Sequence, residues 1–83
     1  MRRSRLEFSD AFALVLERQR TAKKLSRQEL AQKAGLHQTY IGMIERGLSN
    51  PSLDTANAIA EALELSLSQL VIEAEAMRQL PES

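Results

Sequence analysis

Apolar residues recur along this chain at the three- and four-residue spacing of helices buried on one face, and no stretch alternates as a half-buried strand would. Five segments carry the pattern. In the first, Phe12, Val15 and Leu16 share a face; Ser9 is placed to cap it, Asp10 lies near the positive end of the helix dipole, and the helix is expected to run to about Lys23. The second opens at Ser26-Arg27-Gln28-Glu29, where serine followed three residues later by glutamate predicts a capping box. It carries Leu30, Ala31 and Ala34 and stops at Gly35. The third starts at His37 or Gln38, turns Ile41 and Ile44 inward and stops at Gly47. Asn50-Pro51-Ser52 is turn chemistry, with Ser52 capping a fourth helix that bears Ala56, Ile59, Ala60 and Leu63. Ser66-Leu67-Ser68-Gln69 repeats the capping-box pattern and opens a fifth helix to about Gln79. The expectation is an all-α, compact five-helix domain with its core over about residues 9–79, a basic arm at 1–8, and loose ends before about Glu7 and from Leu80 to Ser83.

Composition narrows the setting. Eighty-three residues make one small domain, for which a partner surface would add stability. The absence of cysteine removes disulfides and thiolate metal ligation and fits a cytoplasmic protein. No apolar run approaches the roughly 20 residues that span a bilayer, and the basic start Met1-Arg2-Arg3-Ser4-Arg5 lacks the apolar segment of a secretory signal. With one histidine, no cysteine and no glycine-rich phosphate cradle, the chain is not expected to be an enzyme, and no cofactor or metal is expected. So small a core also leaves little room for a small-molecule effector. The zero net charge conceals an asymmetry: ten Lys/Arg against five Asp/Glu from Met1 to Arg46, then one arginine against six acids from Gly47 to Ser83. One half is suited to phosphates and the other to solvent or a second subunit, ordinary scatter being the alternative.

The region from Leu25 to Leu53 is the most informative. Ala31, Gly35, Ile41 and Ile44 stand at the spacing a helix-turn-helix requires. A small residue at Ala31 lets two helices cross closely, and Gly35 takes the left-handed conformation of a sharp turn at little steric cost. Ile41 and Ile44 lock the second helix of the pair onto the core and leave its N-terminal end exposed, a shape that enters the major groove of B-DNA.

Leu-Ser-Arg-Gln-Glu-Leu-Ala-Gln-Lys-Ala-Gly-Leu (25–36), Tyr-Ile-Gly-Met-Ile-Glu-Arg-Gly (40–47) and Asn-Pro-Ser-Leu (50–53) together resemble the Cro/CI-type (XRE), lambda-repressor-like helix-turn-helix family, over about Phe12 to Leu70. That family comprises phage repressors, restriction-modification controllers and small bacterial regulators. The resemblance implies a sequence-specific regulator, most simply a repressor or autoregulator, bound to double-stranded DNA. It implies base readout by Gln38, Thr39 and Met43 with Gly42 on the same face, and phosphate contacts from Ser26, Arg27, Gln28, Tyr40, Arg46, Ser49 and Asn50. Arg20 and Glu45 match a pair that forms a buried salt bridge between the first and third helices.

Three departures stand out. Lys24 and Glu64 occupy positions where glycine usually closes the first and fourth helices, at a cost of about 1 kcal/mol each if the left-handed conformation is kept. Gly42 lies where a polar side chain is more usual; it either admits close backbone approach to DNA or is a tolerated loss of helix propensity.

Other features carry two readings. His37 is a pH switch near phosphate or a solvated helix start. Arg2, Arg3 and Arg5 form a DNA-tracking arm or a solubilising terminus. Glu73, Glu75 and Glu82 with Arg78 are read as a solvated face. The stripe Leu67, Leu70, Val71, Ala74 and Met77 exceeds what the core needs, so Leu70, Val71, Ala74 and Met77 are expected at a two-fold homodimer interface, the alternative being a frayed monomeric helix end. A dimer would read an inverted-repeat operator with half-sites about 34 Å apart. The competing function is a protein-interaction module, such as an antitoxin-type regulator whose main partner is another protein.

Overall fold

The structure, a computed structural model, describes residues 6–79; Arg2, Arg3, Arg5 and Glu82, with the readings placed on them, lie outside it. Five helices follow one another: α1 (Phe8–Ala22), α2 (Arg27–Ala34), α3 (Gln38–Glu45), α4 (Leu53–Ala62) and α5 (Leu67–Arg78), with no strand among the described residues. α1 and α4 each contribute to two cores. In one, Ala11, Phe12 and Val15 of α1 meet Ala56 and Ala60 of α4 and Leu70 and Ala74 of α5. In the other, Leu16, Ile59 and Leu63 meet Leu30 and Ala31 of α2 and Ile41 and Ile44 of α3.

The caps explain most of the boundaries. Ser26 and Ser66 both complete capping boxes: each hydroxyl accepts the N–H three residues on, and Glu29 or Gln69 accepts the cap's own N–H at 2.8 Å. Ser52 accepts from Thr55 N–H, and His37 caps α3 with its ring, Nδ1 accepting the Thr39 N–H at 3.2 Å. α1 departs from expectation. Ser9 is inside the helix rather than its cap; Glu7 holds the cap position with extended backbone and no side-chain cap. Phe8 starts the helix because its ring stacks on Phe12 one turn along, with centroids 6.4 Å apart, and packs against the α1–α4–α5 core. Leu6 is tied down as well, its carbonyl accepting from Arg78 Nε at 3.0 Å, so residues 6–8 are part of the domain rather than an arm.

Turns between helices use the left-handed region four times: Lys24, Gly35, Gly47 and Glu64 have φ of 61°, 73°, 77° and 63°. At Gly35 nothing would obstruct a side chain, so the requirement is conformational, and Leu36 N–H closes the turn on the Ala31 carbonyl at 2.8 Å. Lys24 and Glu64 adopt the same conformation without glycine's freedom, and Leu25 and Leu65 close their turns on the Arg20 and Ala60 carbonyls. Both therefore carry the strain anticipated from the sequence, about 1 kcal/mol each.

α5 requires a correction. Leu70 and Ala74 have no exposed surface and are consumed by the packing of α5 on α1, so neither is available to a second subunit. Val71 and Met77 are half-buried, and Met77 packs against the same core. Glu73 is not simply solvated: both its carboxylate oxygens accept from Gln19 Nε2 at 3.0 Å, joining α5 to α1.

Candidate nucleic-acid interface

The α2–turn–α3 unit is short, and its position depends on what lies behind it. Ile41 and Ile44 are fixed in the core by Leu16, Leu30, Ile59 and Leu63. Ala31, 2% exposed, allows α2 and α3 to approach closely. The polar anchor is Glu45, at the last turn of α3. Its side chain is 1% exposed, yet it holds three N–H donors: Arg20 Nε at 2.6 Å, Arg20 Nη2 at 3.1 Å and Arg27 Nε at 2.9 Å. Arg20 also donates from Nη1 to the Leu25 carbonyl at 2.8 Å, so one guanidinium joins α1, the α1–α2 turn and α3. The hydrogen bond to Glu45 raises the Arg20 pKa above its ordinary value, against the opposing effect of burial. Removing either partner would leave the other charged and poorly compensated, the costly case for a buried pair.

Outside this anchor lies a polar surface. Ser26, Arg27, Gln28, Gln38, Thr39, Arg46 and Asn50 are exposed, and Tyr40, Gly42, Met43 and Ser49 are half-buried. Gln28, Gln32, His37, Gln38 and Thr39 line one shallow groove between the starts of α2 and α3. The Ser26 hydroxyl and the Glu29 N–H are already engaged in the capping box, which leaves the Arg27 and Gln28 N–H groups as the outward donors of α2. Tyr40 packs its ring partly against the α2–α3 core. Asn50 stands apart from the rest, on the rim of an apolar groove that Phe8, Phe12, Leu53, Leu67 and Val71 also line.

Two features escaped the sequence reading. Arg27 joins the Arg20–Glu45 pair from eighteen residues away, a contact that no local spacing announces. The exposed apolar residues beside the second groove are Leu53 and Ile72, 80% and 62% exposed. Ile72 is out of phase with the buried stripe of α5, and that was the available signal; Leu53 shares the face of Ala56 and Ala60 and is exposed at the first position of α4.

A helix-turn-helix family model matches residues 16–70, the span that holds the anchor, the turn and both short helices. The chain belongs to the Cro/CI-type helix-turn-helix family. It is 44% identical over 52 residues to the immunity repressor protein of Bacillus phage phi105, a match covering 63% of this chain and 36% of that repressor. The chain thus spans about a third of the length of that relative. Among solved structures it is similar to the restriction-modification controller protein C.AhdI from Aeromonas hydrophila, with a TM-score of 0.73 and 39% identity over 75% of this chain and 94% of that one. It is also similar to C.Esp1396I bound to a 25 base pair operator site, with a TM-score of 0.76 and 26% identity over 86% of this chain and 97% of that one. These relatives are repressors or controllers of restriction-modification, and the fold of this chain is similar to that of the two solved controllers. No helix among the described residues is long and apolar enough to cross a membrane.

Proposed function

We propose that this helix-turn-helix chain binds double-stranded DNA sequence-specifically as a homodimeric transcriptional regulator, most simply a repressor or autoregulator, with α3 in the major groove. The observation that carries the reading is the exposed start of α3, locked to the core by Ile41, Ile44 and the Glu45 anchor and flanked by the free N–H groups of α2. The operator complex of C.Esp1396I lends support by likeness. In this reading Gln38 pairs with adenine N6 and N7, Thr39 reads a neighbouring base edge and Met43 touches a thymine methyl group. Ser26, Arg27, Gln28, Tyr40, Arg46 and Ser49 hold the phosphates, with Asn50 at the margin. The chain acts on DNA in the cytoplasm as one non-catalytic domain with no cofactor.

The dimer in this proposal uses a different surface from the inner stripe of α5. Leu53 and Val71, which line a groove of about 450 Å³, and the exposed Ile72 next to Val71 on α5 supply the apolar contact. Selection of sites from random duplexes tests the whole reading. The expected product is an inverted repeat with half-sites about 34 Å apart, and binding should fall with salt at a slope of roughly −0.9 per neutralised phosphate. Failure to enrich any sequence sinks the regulator reading and moves the function to a protein partner.

A further inference from the structure

The Arg27 side chain crosses from α2 onto α3. Its Cδ lies 3.9 Å from where a Cβ on Gly42 would stand, and its Nε–H ends on Glu45 at 2.9 Å. The two arginines on Glu45 are unlike. Arg20 is spent inside the fold, its side chain 10% exposed and its Nε, Nη1 and Nη2 all donating. Arg27 gives Glu45 only its Nε–H, and its side chain is 45% exposed. Two guanidinium groups around one carboxylate leave the cluster with a net positive charge, and that charge emerges at Arg27.

We infer that Glu45 is a positioning residue for DNA binding: it clamps Arg27 by Nε–H over Gly42, so that the four N–H donors on Nη1 and Nη2 form a preset fork for a backbone phosphate. A guanidinium has five N–H donors in a rigid plane; fixing one end orients the other, and the outer edge matches two phosphate oxygens. An unheld arginine would lose rotamer freedom on binding, whereas Arg27 has already lost it in the free protein. The vacancy at Gly42 gains a purpose in this arrangement. The Arg27 stem covers the middle of α3, so α2 supplies the charged group that α3 itself lacks there. This inference rests on the DNA-binding reading, and it assigns the Arg27 contact to phosphate rather than to a base.

The test uses a mixed-sequence duplex, because a phosphate contact is blind to sequence, alongside whatever operator the selection yields. Arg27→Ala is expected to weaken binding to both by about tenfold per protomer, the size of one charge-assisted hydrogen-bonded contact, and to flatten the salt slope by about one unit. Arg27→Lys keeps the charge but has a single nitrogen that cannot serve Glu45 and a phosphate together, so it should bind within about twofold of Arg27→Ala. In a Glu45→Gln background, Arg27→Ala should cost little more. In the free protein, the Arg27 Nε–H resonance should be protected from exchange and lose that protection on Glu45→Gln.

Wild-type affinity in Arg27→Lys would overturn the positioning role, since charge alone would then suffice; this arm leaves the Arg20–Glu45 pair intact and decides the matter even if Glu45→Gln does not fold. A loss confined to the selected operator would overturn it too, by making Arg27 a base reader. A wild-type chain that fails to bind any duplex removes the DNA reading and this inference together, an outcome distinct from a binding chain indifferent to Arg27.

Discussion

The α2–α3 face and the outer side of α4–α5 are both backed by cores that α1 and α4 share, yet they are built on opposite principles. Behind α2 and α3 the buried core is branched aliphatic apart from Ala31, and a buried carboxylate shared by two arginines completes it. Outside, that face offers amides, hydroxyls and guanidinium groups. Behind α5 four alanines, Ala11, Ala56, Ala60 and Ala74, let the helices approach closely and no ion pair is buried there among the described residues. Outside, this second face keeps Leu53 and Ile72 in solvent. In the proposed DNA complex, the first face needs its charges held in place, and Glu45 holds Arg27 from within. In the proposed dimer, the second face needs only exposed carbon, which Leu53 and Ile72 provide.

The contrast can be broken most severely at the polar anchor. Arg20→Met is expected to cost about 3 kcal/mol, the low end for an orphaned buried charge because Arg27 still partners Glu45, as read by urea denaturation. The Arg20 pKa is raised in the folded state, so its stabilisation is complete below the unfolded value and is lost only as pH rises through the folded one. Both lie above the working range, and the deficit of Arg20→Met should be constant between about pH 6 and about pH 9.

On α5 two neighbouring residues sharpen the comparison. Leu70, fully buried, should cost about 2–5 kcal/mol when cut to alanine. Ile72→Glu should change the monomer's stability by no more than about 0.5 kcal/mol, yet shift the sedimentation equilibrium toward monomer. A dimer that survives Ile72→Glu and Leu53→Glu together would show that the apolar face serves something else. The smallest effect belongs to the turns: Glu64→Gly relieves a left-handed non-glycine residue and should raise stability by up to about 1 kcal/mol, less the greater chain entropy of glycine, measurable by thermal denaturation.

Much of the fold is legible in the sequence. The capping boxes at Ser26 and Ser66 are local chemistry, readable from four residues each, and both form. Ser9 failed as a cap because a competing interaction, Phe8 on Phe12, lies outside what a capping rule weighs. The stripe on α5 was visible, but its allocation was misjudged: periodicity says which residues share a face, not whether one neighbour covers the whole of it. Here α1 and α4 together bury Leu70 and Ala74 completely. For the candidate site, the resemblance implied the Arg20–Glu45 pair, which forms, but otherwise named residues singly, and Arg27's place on Glu45 is visible only in the fold.

The sequence by itself determined the helices, their order and the turn at Gly35, because caps, helical periodicity and left-handed glycine act over a few neighbouring residues. Tertiary structure alone decided that Arg27 joins the Arg20–Glu45 pair that the family resemblance implied. Glu45 can gather Arg20 and Arg27 only once α1, α2 and α3 have packed, since burying that carboxylate is tolerable only where both guanidinium groups converge on it.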